Sequence, residues 1–303
     1  MLLYFVFLIL IMVKIYSGTN ILIHIQTIIT LVKTIFTFSI AFFMVACVQN
    51  TFAQDLIKSI PTGKARFIST DELGNVYLVR EDNSLIRYNN NGDSTGNFRT
   101  IQNGDIQSID ATNPLRILLY FPDFSKVVFL DKMLSVKNEL DLKTLQIFNA
   151  PAVGMSFDGK IWVYDYANAK LKKIDDQLNI TNIGNDMRQE SQTVPNPTAI
   201  LERDSRVYMA DAQNGIYTFD RFASYINTLE IKDVKDLQVF GKQLVYQEGD
   251  SLIAYDLQTL SRKTISLPTE KHFIQARMER NRMFFLFDDR LDIYHIGNEV
   301  GEK

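Results

Sequence analysis

The sequence predicts an all-β chain folded as a six-bladed β-propeller. Three observations carry that prediction. A unit of two apolar strand-like runs joined by an acidic turn occurs six times, at 75–88, 116–130, 160–174, 206–219, 243–255 and 282–294. The turn acids recur at intervals of roughly 40 residues, the length of one four-stranded blade. The runs are contiguous or alternating in Val, Ile, Tyr and Phe, which fits a strand period, and no i, i+3, i+4, i+7 stripe crosses them.

Each element can be justified in chain order. Residues 55–61 (DLIKSIP) precede the first unit and have no blade of their own. Only a few residues follow the last unit, too few for a further strand. The N-terminal strand is therefore expected to complete the sixth blade and close the ring, which removes exposed sheet edges. Short apolar pieces at 67–69, 106–109, 153–156, 199–201, 237–240 and 274–276 read as innermost strands. Glu72-Leu73-Gly74-Asn75 and Phe157-Asp158-Gly159-Lys160 place glycine where a tight turn needs positive φ. Glu202-Arg203-Asp204-Ser205 and Glu279-Arg280-Asn281 use Asp or Asn instead. Outer strands are expected at 98–101, 139–142, 225–231 and 262–267.

The chain has 303 residues and a formal charge of −3, so no basic footprint points to nucleic acid. One boundary is expected after Ala53. It separates a hydrophobic segment, 1–53, from a propeller over 54–298 and a tail at 299–303. Lys33, the apolar run 34–46 and Thr51-Phe52-Ala53 read as charged region, apolar region and small-residue cleavage site of an export signal. On that reading residues 1–30 reflect a start assigned too far upstream. The competing reading keeps Met1 and makes the segment one or two membrane anchors. Cys47, the only cysteine, follows Met44-Val45-Ala46 in a lipobox-like position and is a candidate for lipidation. A single cysteine excludes an intramolecular disulfide.

Chemistry-bearing patterns are sparse. The three histidines, His24, His272 and His295, have no metal-ligand spacing. No metal site or cofactor is expected, and no catalytic residue is assigned. Asp110, Glu202 and Glu279 lie just past the inner strands. They read either as surface carboxylates or as groups converging at a channel mouth. Six turn acids, Asp82, Asp123, Asp165, Asp211, Glu248 and Asp288, are the constellation the repeat itself creates. In regular blades they ring one face and offer a negative field to a partner. The local alternative is that each binds its own turn backbone. Tyr77, Trp162, Tyr208 and Phe284 occupy matched positions and are expected to pack between blades, with Leu118 and Leu244 or Val245 in the other two. Phe124, Tyr164 and Tyr166, at or beside acidic turns, are candidate exposed contacts, because aromatics dominate interface hot spots.

The stretch 110–131 (DATNPLRILLYFPDFSKVVFLD), together with 56–61, 71–77 and 159–164, resembles the exported β-propeller proteins of Bacteroidota, of NHL- or TolB-like architecture. The resemblance spans about 54–296 and brings no catalytic residues. It implies an envelope location, periplasmic or membrane-associated, and a binding or scaffolding role. The expected function is therefore non-enzymatic: propeller loops that bind an envelope protein, with membrane contact only through the N-terminal segment or a lipid on Cys47. The alternative is a propeller enzyme, a lyase, lactonase or hydrolase, acting on a small sugar or peptide at the central channel.

Overall fold

The computed structural model describes residues 55–268 and 272–296, together with Thr30, Lys33 and Thr34. Cys47, His24 and the cleavage site at Ala53 lie outside the described residues. The described strands belong to the compact unit Ala53–Lys303.

The chain enters through β1 (Asp55–Pro61) and then builds five consecutive sheets. Blade 1 holds β2 (Ala65–Thr70), β3 (Val76–Arg80), β4 (Leu85–Tyr88) and β5 (Ser94–Phe98). Blade 2 holds β6 (Ser108–Asp110), β7 (Ile117–Phe121), β8 (Lys126–Leu130) and β9 (Val136–Asp141). Blade 3 holds β10 (Val153–Met155), β11 (Ile161–Asp165), β12 (Lys170–Ile174) and β13 (Ile180–Ile183). Blade 4 holds β14 (Ala199–Arg203), β15 (Arg206–Asp211), β16 (Gly215–Asp220) and β17 (Tyr225–Leu229). Blade 5 holds β18 (Lys235–Phe240), β19 (Gln243–Glu248), β20 (Ser251–Asp256) and β21 (Arg262–Ile265). Blade 6 takes β22 (Gln275–Glu279), β23 (Arg282–Leu286) and β24 (Arg290–His295), and its fourth position is filled by β1, antiparallel to β24 from Asp55↔His295 to Pro61↔Arg290. All six sheets are four-stranded and antiparallel, five of them meanders of consecutive strands, and the architecture is a six-bladed propeller.

Packing explains why the second and third strands read as unbroken apolar runs. The buried side chains divide into six clusters, and each is shared by two consecutive blades. In β7, Ile117, Leu119 and Phe121 face blade 1, while Leu118 and Tyr120 face blade 3. In β11, Ile161 and Val163 face blade 2, while Trp162 and Tyr164 face blade 4. A strand buried on both faces needs apolar residues at every position, so alternation disappears. The matched position is resolved by this geometry. Tyr77, Leu118, Trp162, Tyr208, Val245 and Phe284 all point into the interface with the following blade, and Phe284 closes onto blade 1. Blade 5 therefore contributes Val245, not Leu244.

Close approach at the axis is set at Gly154, where an added Cβ would lie 2.0 Å from the Ile200 carbonyl oxygen of blade 4. Only glycine lets β10 and β14 meet so closely.

The outer strands depart most from the expectation. Strand β5 runs over Ser94–Phe98, not 98–101, and blade 3 has an outer strand, β13, that the sequence pattern did not mark. Both are short and largely exposed (STGNF and ITNI), so no buried face imposes a pattern on them.

Third-to-fourth strand turns are built alike in five blades. Asn89, Asp131, Asp175, Asp220 and Asp256 each accept hydrogen bonds from two backbone N–H groups of their own turn. Each turn then needs one left-handed residue, supplied by Gly92, Leu134, Leu178, Ala223 and Leu260. A left-handed Leu costs roughly 1–2 kcal/mol. Leu134 and Ala223 offset that by burying their side chains between blades.

Candidate functional site

Antiparallel meanders place the first-to-second and third-to-fourth turns at one end of the barrel of blades. The second-to-third turns and the inter-blade links share the other end, the link face. The six turn acids lie on the link face, yet they do not form a uniform negative ring. Asp165 is fully buried, with Lys172 Nζ 2.6 Å away and that lysine also buried. Burial alone would push the Asp165 carboxyl up; the Lys172 ammonium and the Asn168 amide outweigh it and hold it below its usual range. Asp211 is also buried, and its carboxylate accepts from the Asn196 and Gln213 backbone N–H groups at 2.7 and 2.8 Å. Asp82 is exposed and bonds Ser84 within its own turn. Glu248 pairs with Arg262 at 2.6 Å. Asp123 and Asp288 are exposed. The local turn reading thus describes Asp82, Asp165 and Asp211, because a turn carboxylate finds backbone donors before it finds a partner.

The candidate aromatics also divide. Tyr164 is fully buried between blades 3 and 4, a correction forced by two-sided burial of β11; its hydroxyl has no partner there among the described residues. Phe124 and Tyr166 are 47% and 37% exposed. A third residue, missed in the sequence, stands between them: Phe148, 68% exposed in the link between blades 2 and 3. Its carbonyl accepts from Ser125 Oγ at 3.1 Å, and the neighbouring Asn149 carbonyl accepts from Tyr166 N at 3.1 Å. The link is thereby fastened to both flanking turns. Lys143 Nζ lies 5.4 Å from the Phe124 ring centroid. The result is a short apolar rim carried by two blades, on a backbone held in place by hydrogen bonds. Phe148 had one legible signal: a large aromatic in a link that has no strand to pack into.

The axial channel is polar where blades meet. Asp110 carries Met155 N of the next blade on one oxygen (2.7 Å) and Thr112 on the other. Glu202 accepts from Ser156 Oγ, Phe157 N and Trp162 Nε1 of blade 3, at 2.5, 3.2 and 2.6 Å. Both carboxylates stitch blades together and are not idle surface groups. Gln238 pairs with the Met278 backbone, its Nε2 donating to Met278 O (2.8 Å) and its Oε1 accepting from Met278 N (2.9 Å). Gln275 Oε1 accepts from Ile68 N of blade 1 at 2.6 Å, and its Nε2 donates to Asp236. Such amides extend the ladder across the axis, where backbone groups would otherwise lack partners.

Three ionisable groups, Asp236, Arg277 and Glu279, take part in this stitching between blades 5, 6 and 1. Asp236 sits at a bulge in β18 with φ 51°, a left-handed backbone inside a strand. Burial raises its carboxyl, and the Arg277 guanidinium only partly opposes that. Glu279 is raised to about 7, chiefly by burial, with Arg277 opposing and the Asp71 charge adding to the rise. Between them Arg277 donates from Nε to Thr70 Oγ1 (3.1 Å), and Thr70 Oγ1 donates on to Glu279 Oε1 (2.8 Å). Two cavities, of about 290 and 300 Å³, meet at Arg277, Thr70, Thr112 and Leu201. Among the described residues, no group of three or more His, Cys, Asp or Glu is arranged to hold a metal ion. His272 and His295 are exposed and remote from the channel; His272 contacts Asp250.

No family model matches the chain, and no curated protein matches it in sequence. Solved structures match the fold. Virginiamycin B lyase from Staphylococcus aureus aligns with 11% identity over 81% of this chain and 100% of its own, with a TM-score of 0.58. The Neurospora crassa Pan2 WD40 domain aligns with 9% identity over 84% and 98%, TM-score 0.60. The extracellular domain of a hybrid two-component system from B. thetaiotaomicron aligns with 13% identity over 77% of this chain and 33% of that one, TM-score 0.52. A lyase and a WD40 domain on one architecture show that the fold does not choose the function.

Proposed function

We propose that this chain is a non-enzymatic binding scaffold of the cell envelope, exported through its N-terminal segment. Its link face docks a protein partner over blades 2 and 3. The observation that carries this reading is the rim of Phe124, Phe148 and Tyr166, exposed on a fastened backbone. Exposed aromatics held rigid lose little entropy on binding and make effective anchors. Asp123, beside Phe124, supplies an acidic edge to the same patch. The pairing of β1 with β24 supports β1 as the latch that completes the ring just after the export signal. Residues 1–53 then act either as a cleaved signal ending at Ala53 or as a lipid anchor through Cys47. N-terminal sequencing and mass measurement of the mature chain separate the two.

The test is affinity purification with cross-linking from membranes, comparing the native chain with Phe124→Ser/Phe148→Ser. The expected outcome is a partner cross-linked to the native rim and lost from the variant at unchanged melting temperature. An identical partner profile from both chains removes the rim from the function. A second reading, an enzyme acting on a small sugar or peptide in the channel, is favoured by one observation: Asp236 and Glu279 are both raised and both face a cavity.

A further inference from the structure

We infer that the axial channel is a binding site for a small organic carboxylate, held by the guanidinium of Arg277. This site lies on the axis, separate from the aromatic rim, and stands or falls without it.

Four observations meet at Arg277. It lines both cavities, so its head group sits where the two halves of the channel join. Only its Nε is used, in the bond to Thr70; among the described residues no carboxylate lies within ion-pair distance of its outer nitrogens. Those two nitrogens form the fork that matches a carboxylate in bidentate geometry. Thr70 and Gln238 both donate to Oε1 of the neighbouring Glu279, and that carboxyl makes no contact ion pair with Arg277. Asp236 and Glu279 attract this guanidinium without forming a contact ion pair with it, so among the described residues its two outer nitrogens are left to an incoming anion.

The ligand class follows from the surroundings. The charged groups around Arg277 and Glu279 are Asp236 and Lys235 on β18, Asp71 and Glu72 after β2, Asp110 on β6, Glu202 and Arg203 on β14, and Arg280 after β22. With carboxyls on either side of Arg277, each added negative charge is repelled, so a monoanion is favoured over a phosphate dianion. The cavity wall beside Arg277 also carries Leu201, Val239 and Phe240, which suit an apolar body attached to the acid. A cavity near 300 Å³ is at the small end of ligand sites, so the acid is small.

The full-length chain in detergent is titrated calorimetrically with benzoate, inorganic phosphate and benzylamine as probes. Saturable benzoate binding is expected, at least about tenfold weaker in Arg277→Gln, the loss of one charge-assisted fork. Arg277→Lys keeps the charge but not the fork, and is expected to bind more weakly than the native chain. It carries the test if Arg277→Gln does not fold. Glu279→Gln, which removes a competing negative charge, is expected to bind benzoate at least as tightly. The inference is overturned by absent saturation with benzoate, by equal affinity in the Arg277 variants, by tighter binding of phosphate or benzylamine, or by loss of benzoate binding in Glu279→Gln.

Discussion

Three turn aspartates and two channel carboxyls carry the same chemical group and are shifted in opposite directions. In the turns, Asp131, Asp175 and Asp256 are held low, led by hydrogen bonds from their own backbone N–H groups. In the channel, burial leads, and Asp236 and Glu279 are pushed up. The difference teaches that position within the blade, not residue type, sets the electrostatics. A turn offers several N–H donors and water. The axis has fewer free backbone donors, because Asp110, Glu202, Gln238 and Gln275 already accept from backbone N–H groups there.

Asp165 is the sharpest way to break that comparison, because it is a turn acid with channel-like burial. Asp165→Ala leaves the buried Lys172 unpaired and is expected to cost about 3–5 kcal/mol in urea unfolding. Asp165→Leu with Lys172→Met is expected to recover most of it, since replacing both charges leaves nothing buried and unpaired. A loss below about 1 kcal/mol in the single variant would assign the pair to the solvated class.

A smaller effect separates the two kinds of acidic turn. Asp220 accepts from Phe222 N and Ser224 N in a third-to-fourth turn. Asp220→Ala is expected to lower stability by about 1 kcal/mol, and Asp220→Asn by less, because the amide oxygen still accepts. Asp288→Ala, on an exposed second-to-third turn, is expected to change melting within error. Equal losses at both sites would erase the distinction.

The comparison also carries a pH dependence, and its sign differs between the regions. Asp158 is depressed to about 2, the Ser156 and Lys173 bonds outweighing burial. A depressed carboxyl contributes stability above its unfolded value of about 3.9, lost as pH falls through the folded value. Turn acids therefore steepen acid unfolding between roughly pH 4 and pH 2. Glu279 runs the other way. Its contribution is fully present below its ordinary value of 4.5 and is lost as pH rises through about 7. Glu279→Gln is expected to raise the melting temperature at pH 8 relative to the native chain and to leave it nearly unchanged at pH 4. A difference larger at pH 4 than at pH 8 would contradict the burial of this carboxyl.

Much of the fold was legible in the sequence, and the reason is repetition. Six acidic turns at intervals of roughly 40 residues, with two apolar runs around each, leave few alternatives to a blade. The outer strands were poorly legible because STGNF and ITNI are bounded by solvent and carry no pattern. The repeated Asx turns at Asp131, Asp175 and Asp220 were legible in principle. Each is followed four residues later by Ser or Asn, and the residue before that is left-handed.

Local propensity and the repeat of acidic turns, then, were enough to determine the number of blades and their two central strands. What only the tertiary structure decided is which face of a two-sided strand meets solvent and which polar groups meet at the axis. Tyr164 and Tyr166 are two residues apart in the sequence, yet one is core and the other rim, because β11 ends between them. Arg277, Asp236 and Thr70 come from three different blades, and only closing the ring sets them around one cavity.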